Sequence, residues 1–374
     1  SSKYLKVYNE DMKNIGVNIP NFQPKATDFI LDMIKMIENL LDNNCAYVSD
    51  GNVLFDVSKY KYYGSLSKRS KHEQISGNRI EIAGYKKNPE DFVLWKPSKK
   101  SEPGWNSPWG LGRPGWHIEC SVMSEKCLGI PFDIHCGGVD LTFPHHENEI
   151  AQSCSNHVKN QKPTNFSKYW FHNGFVTVNG EKMSKSLGNF ILVNELLKNY
   201  SGSVIRYSLL TSHYRQPLDW SEKILEQSKN TFKRFKTILE DNPIDELNKK
   251  NERVNFYYKI FLEELYNDLN TPKALAKLNK LFDLIKTKKS ESKYISLSIK
   301  KCLAVLGIKI NKSITKNRVE NTKEVKVVED LINEREKARK NKDFEKADKI
   351  RNDLEEMNIL IEDTKTGTKW KKND

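Results

Sequence analysis

No apolar run in this 374-residue chain approaches the ~18 residues that a helical membrane span requires, so a spanning helix is excluded from the reading. The chain opens Ser1-Ser2-Lys3-Tyr4-Leu5, without an initiating Met and without the apolar stretch of a signal peptide. Nothing there directs export, and the cytoplasm is the expected compartment. Six cysteines are too sparse for a disulfide framework. Four of them (Cys120, Cys127, Cys136, Cys154) fall close together, which favours thiols or metal ligands. There is no internal repeat, no GxxxxGK[ST] and no GxGxxG, so neither a P-loop nor the dinucleotide fingerprint is present. What the chain has in excess is positive charge: 62 Lys+Arg against 49 Asp+Glu, a net +13. That balance suits a polyanionic partner, with a Lys-rich solvated surface as the alternative. The length exceeds what one hydrophobic core usually serves, so two or three domains are expected.

Along the chain, Phe29, Ile30, Met33, Ile34, Ile37 and Leu40 recur at helical spacing and predict an amphipathic helix over 26–44. Ala46-Tyr47-Val48 and Val53-Leu54-Phe55-Asp56-Val57 flank Ser49-Asp50-Gly51-Asn52, a hairpin signal. From about 60 to 115 the pattern loses its period. This stretch reads as loop, an insertion or connection, with one apolar segment at Phe92-Val93-Leu94-Trp95. Between 116 and 195, strands at 132–135 and 170–176 with a helix from Pro144 between them give the βαβ rhythm of a parallel sheet. Beyond about 196 helical periodicity dominates, and a helix bundle is expected. Residues 325–363 begin as an amphipathic helical hairpin rich in Lys and Arg. Two extended segments follow, the second carrying Trp370 among lysines, which suits stacking on an unpaired base. A basic tail with Trp370 docked on the hairpin is the other reading.

Two motifs carry chemistry. Pro144 can sit in the first turn of a helix, placing His145 and Glu149 at i and i+4 on one face, able to reach one metal ion, with Cys120 as a third donor. The same residues also read as helix caps, a solvated charge and a buried thiol. Glu181-Lys182-Met183-Ser184-Lys185-Ser186-Leu187-Gly188-Asn189 follows a Gly-containing turn. Two lysines three apart with flanking hydroxyls suit a mobile loop that neutralises charge on departing pyrophosphate.

Gly115-Trp116-His117-Ile118-Glu119-Cys120-Ser121, Phe132 to Leu141 (FDIHCGGVDL), Phe143 to Ile150 (FPHHENEI) and the KMSKS loop resemble, in order and spacing, the cysteinyl-tRNA synthetases of class I. The terminal segment resembles their small anticodon-reading domain. The resemblance implies an α/β Rossmann-like class I catalytic domain whose first part is missing here, then an all-α helical bundle, then a small C-terminal α+β domain. The expected boundaries are 1–115 for the end of the first catalytic half and the connective insertion, and 116–195 for the second catalytic half. The stem-contact and anticodon bundle follows at 196–312, a linker at 313–324 and the anticodon-recognition domain at 325–374. The implied activity is activation of L-cysteine with ATP and Mg2+, then transfer to tRNA(Cys). By the same resemblance Cys120, His145 and Glu149 ligate Zn2+, Trp116 and His135 line the cysteine pocket, and Lys185 with Lys182 stabilises adenylation. Lys182, Met183, Ser184, Lys185 and Ser186 form the ATP-binding loop, Trp370 contacts tRNA, and a monomer is the family tendency. Zinc would act as the sieve, since it binds thiolate strongly and a serine hydroxyl poorly.

One departure stands out. The class I HIGH signature is absent, and none of the eight histidines forms an HxGH pattern. A fourth zinc ligand, a cysteine in that family, has no counterpart either. The first nucleotide-binding βα unit is therefore expected to lie on a preceding stretch, and these residues alone are expected not to form cysteinyl-adenylate. Two other readings remain at this point: a cysteine:glucosaminyl-inositol ligase of the mycothiol pathway, and a truncated non-catalytic paralogue that binds zinc or RNA.

Overall fold

The computed structural model describes residues 2–69, 84–157, 161–183, 186–241, 252–310, 322–341, 343–357, 359–364 and 367–372. The chain divides into two compact units, Ser1–Lys309 and Ile310–Asp374.

In the first unit, helix α1 (Ser2–Asn14) precedes α2 (Ile30–Asp42), which a 3-10 turn (Ala26–Phe29) leads in. α2 buries Met33, Ile37 and Leu40 completely, the stripe that its helical period predicts. β1 (Ala46–Ser49) and β2 (Asn52–Phe55) pair antiparallel around Asp50-Gly51, whose two positive φ values (49° and 73°) define a type I′ turn. β3 (Phe92–Pro97) and β4 (Gly112–Pro114) extend this to a four-stranded antiparallel sheet, β1-β2-β3-β4. The described residues of 60–115 are mostly turns and bends, as expected, and the apolar segment Phe92-Val93-Leu94-Trp95 proves to be a strand. β3 is flanked on both sides, and Leu94 and Trp95 sit in the main core with α2 and Phe55. Its burial alternates from Phe92 to Leu94 and then runs on through Trp95, so no clean period of two marks the strand.

α3 (Trp116–Leu128), β5 (Phe132–Gly138), α4 (Glu147–Asn156) and β6 (Ser167–Asn173) follow. β5 and β6 are parallel, with Ile134 opposite Tyr169, His135 opposite Trp170 and Gly137 opposite His172. This is the βαβ unit that the sequence predicts. The single strand expected over 170–176 is instead two. The chain leaves β6 at Asn173 and enters β7 (Val176–Val178), which joins a separate sheet, β8-β7-β9, with β8 (Glu181–Lys182) and β9 (Leu218–Trp220). A short helical segment, α5 (Val193–Asn199), and α6 (Gly202–Leu210) lead into the bundle of α7 (Glu222–Asp241), α8 (Glu252–Tyr266), α9 (Thr271–Thr287) and α10 (Ser292–Val305). Phe235 and Phe282 stack there at 3.7 Å. No helix among the described residues is long and apolar enough to cross a membrane.

The second unit holds α11 (Thr322–Lys340), α12 (Phe344–Glu356) and a hairpin of β10 (Ile359–Thr364) and β11 (Gly367–Lys372). Its small core is Val328, Ile332, Ile350, Leu354 and Ile359.

Candidate metal centre and nucleotide loop

Helix α4 has an unusual composition for its position. Its ten residues, ENEIAQSCSN, are all buried although most are polar. Buried polar groups persist where partners satisfy them, and neighbouring segments provide many here. Ser67 N donates to Glu147 Oε2 at 2.9 Å, Tyr63 OH to Asn148 Oδ1 at 2.5 Å, Ser121 Oγ to Gln152 Oε1 at 2.6 Å and Asn39 Nδ2 to Asn156 Oδ1 at 3.1 Å. The segment read as an insertion thus packs against α4.

Gln152 Nε2, Ser153 Oγ and Ser155 Oγ are buried without a partner, and so are both carboxylate oxygens of Glu149, the one charged group among them. Its side chain is 0% exposed. His145 Nε2 approaches Oε1 at 2.6 Å and His135 Nε2 approaches Oε2 at 3.1 Å, yet neither contact has hydrogen-bond geometry. Burial alone would raise its pKa. The imidazoles of His135 and His145 beside it act the other way and draw its pKa below the usual carboxylate range. Donor atoms of Cys120, His145 and Glu149 lie within 4.8 Å of one another. The α4 α-helix itself begins at Glu147, not Pro144. Residues Thr142–His146 form a wider-wound π-type lead-in with extended backbone at Phe143, but the i, i+4 relation of His145 to Glu149 survives. A buried charge without a satisfying hydrogen bond beside an imidazole and a thiol is a donor set that fits a borderline divalent cation such as Zn2+.

Around this triad lies a shell of rings. Trp116, on the same helical face as Cys120, is 61% exposed and packs on His145 with ring centroids 4.4 Å apart. His135, brought in by β5, lies 4.7 Å from Trp170 and 4.8 Å from His146. Trp116 and His135, the two residues expected at the amino acid pocket, therefore both border the triad. Burial, reinforced by Glu149 and Glu119, pushes the Cys120 thiol up to about 12. A cation is needed to make it a thiolate at neutral pH. Burial also lowers His117 to about 4 and His146 to about 3, leaving both rings neutral.

Three histidines here went unassigned in the sequence reading. His117 Nδ1 is 2.8 Å from His145 Nδ1, and His146 Nδ1 is 2.8 Å from His172 Nε2. A signal for His146 does exist in Gly137. A Cβ there would lie 2.6 Å from His146 Cε1, so the imidazole occupies space that only glycine leaves open.

The loop KMSKS begins on β8. Asp219 Oδ1 accepts hydrogen bonds from Gly180 N at 2.7 Å and Thr177 Oγ1 at 2.8 Å, which fixes the turn before the loop. Met183 packs on the cluster of Ile15, Val178, Ile205 and Trp220. Lys182 is exposed, its Nζ 5.3 Å from the Phe175 ring centroid. Ser186 is exposed as well. Ser184 and Lys185 lie outside the described residues. Trp370 is placed in β11 opposite Ile361, and its side chain lies outside the described part of the molecule.

Comparison with known proteins adds to this geometry. Residues 1–230 match the family model of the tRNA synthetases class I (C) catalytic domain, and residues 325–370 match the Cysteinyl-tRNA ligase anticodon binding domain. A "Cysteine--tRNA ligase" of Parvibaculum lavamentivorans is 46% identical over 379 residues, covering 99% of this chain and 79% of the relative. One of Maricaulis maris is 44% identical, covering 100% of this chain and 80% of the relative. Among solved structures, Mycobacterium tuberculosis methionyl-tRNA synthetase bound by methionyl-adenylate superposes with a TM-score of 0.54 at 14% identity, covering 80% of this chain and 76% of that one. At that identity the likeness is one of fold.

Proposed function

The chain belongs to the cysteinyl-tRNA ligase family of class I aminoacyl-tRNA synthetases, and from that membership we propose how its residues divide the work. It is an ATP-dependent ligase that joins cysteine to tRNA. The match to an anticodon-binding domain over 325–370 tells against the sugar-amine ligase.

In this proposal Cys120, His145 and Glu149 hold Zn2+. The observation that carries it is the buried, ionised Glu149 carboxylate, lacking a well-formed hydrogen bond and grouped with a thiol and an imidazole within 4.8 Å. Bound zinc supplies preference for a substrate thiolate over a hydroxyl. The exposed Trp116 ring packs on the amino acid, and His135 orients it. His117 holds the His145 ring so that Nε2 points at Glu149. Lys182 and Lys185 neutralise charge on the departing pyrophosphate of Mg-ATP, with Met183, Ser184 and Ser186 completing the loop. The roles of Ser184 and Lys185 rest on the motif. No side chain acts as general base, because the substrate carboxylate is already a nucleophile. Trp370 stacks on an unpaired base of tRNA(Cys), a role that also rests on the motif. The ligase works as a monomer in the cytoplasm, the compartment of its tRNA substrate.

The test is tRNA charging with cysteine and with serine, by wild type and Cys120→Ser, alongside metal content. The expected result is zinc held at least tenfold more weakly and a fall in cysteine kcat/KM of about 100-fold or more, with discrimination against serine eroded. Unchanged discrimination in a metal-free variant overturns the assignment.

A further inference from the structure

The donors around Glu149 form two triads. His135, His146 and Glu149 also bring ligand atoms within 4.8 Å of one another, and Glu149 is the one residue that both groups contain. Its carboxylate is divided between them, Oε1 facing His145 Nε2 and Oε2 facing His135 Nε2. Each triad also has a histidine backed by another imidazole at 2.8 Å, His145 by His117 and His146 by His172. A proton held on His146 Nδ1 by His172 leaves the Nε2 lone pair free, which is the tautomer that metal ligation requires.

We propose that His135, His146 and Glu149 form an alternative position for a single borderline divalent cation (Zn2+, Co2+ or Ni2+), exclusive of the Cys120 position. Three donors within 4.8 Å need only a modest closure to reach the roughly 3.4 Å donor spacing of a tetrahedral site with ~2.1 Å bonds. Exclusivity follows from charge. Two dications bridged by one carboxylate repel each other strongly in a buried site, and Glu149 offers a single negative charge to both. Sulfur decides the order of preference, because zinc favours the position with a thiolate. The imidazole position takes the ion when Cys120 is removed. An ion seated there occupies His135 and withdraws that ring from the amino acid pocket. The proposal depends on the zinc reading only through Glu149.

Co2+ titration followed by absorbance and equilibrium dialysis separates the two readings. In wild type, one equivalent with a sulfur-to-cobalt charge-transfer band is expected. In Cys120→Ser, one equivalent is still expected, bound tenfold or more weakly, with d–d bands and no charge-transfer band. Adding His146→Gln to that variant is expected to abolish binding, and Cys120→Ser/His135→Gln gives the same test if the first pair fails to fold. No Co2+ bound by folded Cys120→Ser overturns the proposal and leaves the zinc assignment standing. Binding by Cys120→Ser that neither histidine change weakens also overturns it. A wild type that binds Co2+ without a charge-transfer band, and loses it on His146→Gln, sinks the Cys120 assignment instead.

Discussion

His117 and His145 face each other through their Nδ1 atoms at 2.8 Å, so one ring donates the proton and the other accepts it. A cation on His145 Nε2 requires the proton on His145 Nδ1, with His117 as acceptor. His117 suits that role, since burial and the neighbouring His145 keep it neutral. His117→Ala is expected to weaken metal retention about 10–100-fold, as removal of such supporting partners typically does. His117→Asn, which can still accept, is expected to recover part of the loss. Competition with a chromogenic chelator measures both, and equal affinity in all three proteins removes the supporting role.

Metal removal should be visible in stability. A cation bound to the folded chain alone adds about 2.7 kcal/mol when its free concentration is 100 times Kd. Chelation is expected to lower the Tm of wild type and to have a smaller effect on Cys120→Ser. Differential scanning fluorimetry with and without chelator reads this, and equal shifts in the two proteins contradict it.

Asp268 makes an acid-sensitive clamp beside the catalytic sheet. Arg215 Nε and Nη2 donate to it at 2.6 and 3.1 Å, and Tyr214 OH donates at 2.6 Å. Tyr214 in turn stacks on Phe171 of β6 at 4.5 Å. The Arg215 hydrogen bonds, then that of Tyr214, hold Asp268 at about 2 instead of 3.8. A depressed carboxylate contributes stability above its unfolded pKa and loses it as pH falls through the folded one. The Tm difference between wild type and Asp268→Asn is therefore expected to be steady near neutrality and to close between 3.8 and about 2. Because the group is exposed, added salt is expected to shrink that difference. A difference that persists unchanged at the acid end rules the clamp out.

Arg206 joins distant parts of the first unit, donating from Nε to Leu306 O at 2.6 Å and from Nη1 to Ile15 O at 3.3 Å. Its guanidinium lies against Gly307, where a Cβ would come within 2.8 Å of three of its atoms at a φ of +67°. Gly307→Ala is expected to cost about 1–3 kcal/mol from the backbone strain alone, more once Arg206 is displaced. Urea unfolding measures it, and a change below about 0.5 kcal/mol would show that Arg206 can move aside freely.

How far the sequence reveals these features depends on whether a local period or a three-dimensional convergence creates them. α2, the Asp50-Gly51 hairpin, the βαβ unit and the terminal helical pair follow periodicities of 3.6 or 2 and were legible. Cys120, His145 and Glu149 were legible through a helical spacing and a family resemblance, and the structure brings them together. β3 was visible only as the apolar segment Phe92-Val93-Leu94-Trp95, β4 escaped because Gly112-Arg113-Pro114 carries no period, and the break between β6 and β7 escaped because an apolar run says nothing about which sheet it joins. His117, His146 and His172 acquire their pairing from α3, the approach to α4 and β6, separated by tens of residues, and no local pattern encodes that. α4 inverted the usual rule: its polar composition reads as surface, and its location is the interior.

That enclosure of α4 bears on heredity. On a water-facing helix, one polar side chain can be exchanged for another singly, because solvent accepts either. Along Glu147–Asn156 several polar groups are matched to specific neighbours elsewhere: Glu147 to the backbone at Ser67, Asn148 to Tyr63, Gln152 to Ser121 and Asn156 to Asn39. A replacement at Asn148, Gln152 or Asn156 leaves a buried or half-buried partner at Tyr63, Ser121 or Asn39 without its hydrogen bond, whereas Glu147 answers to a backbone N–H that no substitution at Ser67 removes, proline excepted. Glu149, in the first turn of that helix, is thus flanked by side chains whose replacement would leave a buried or half-buried group unpaired.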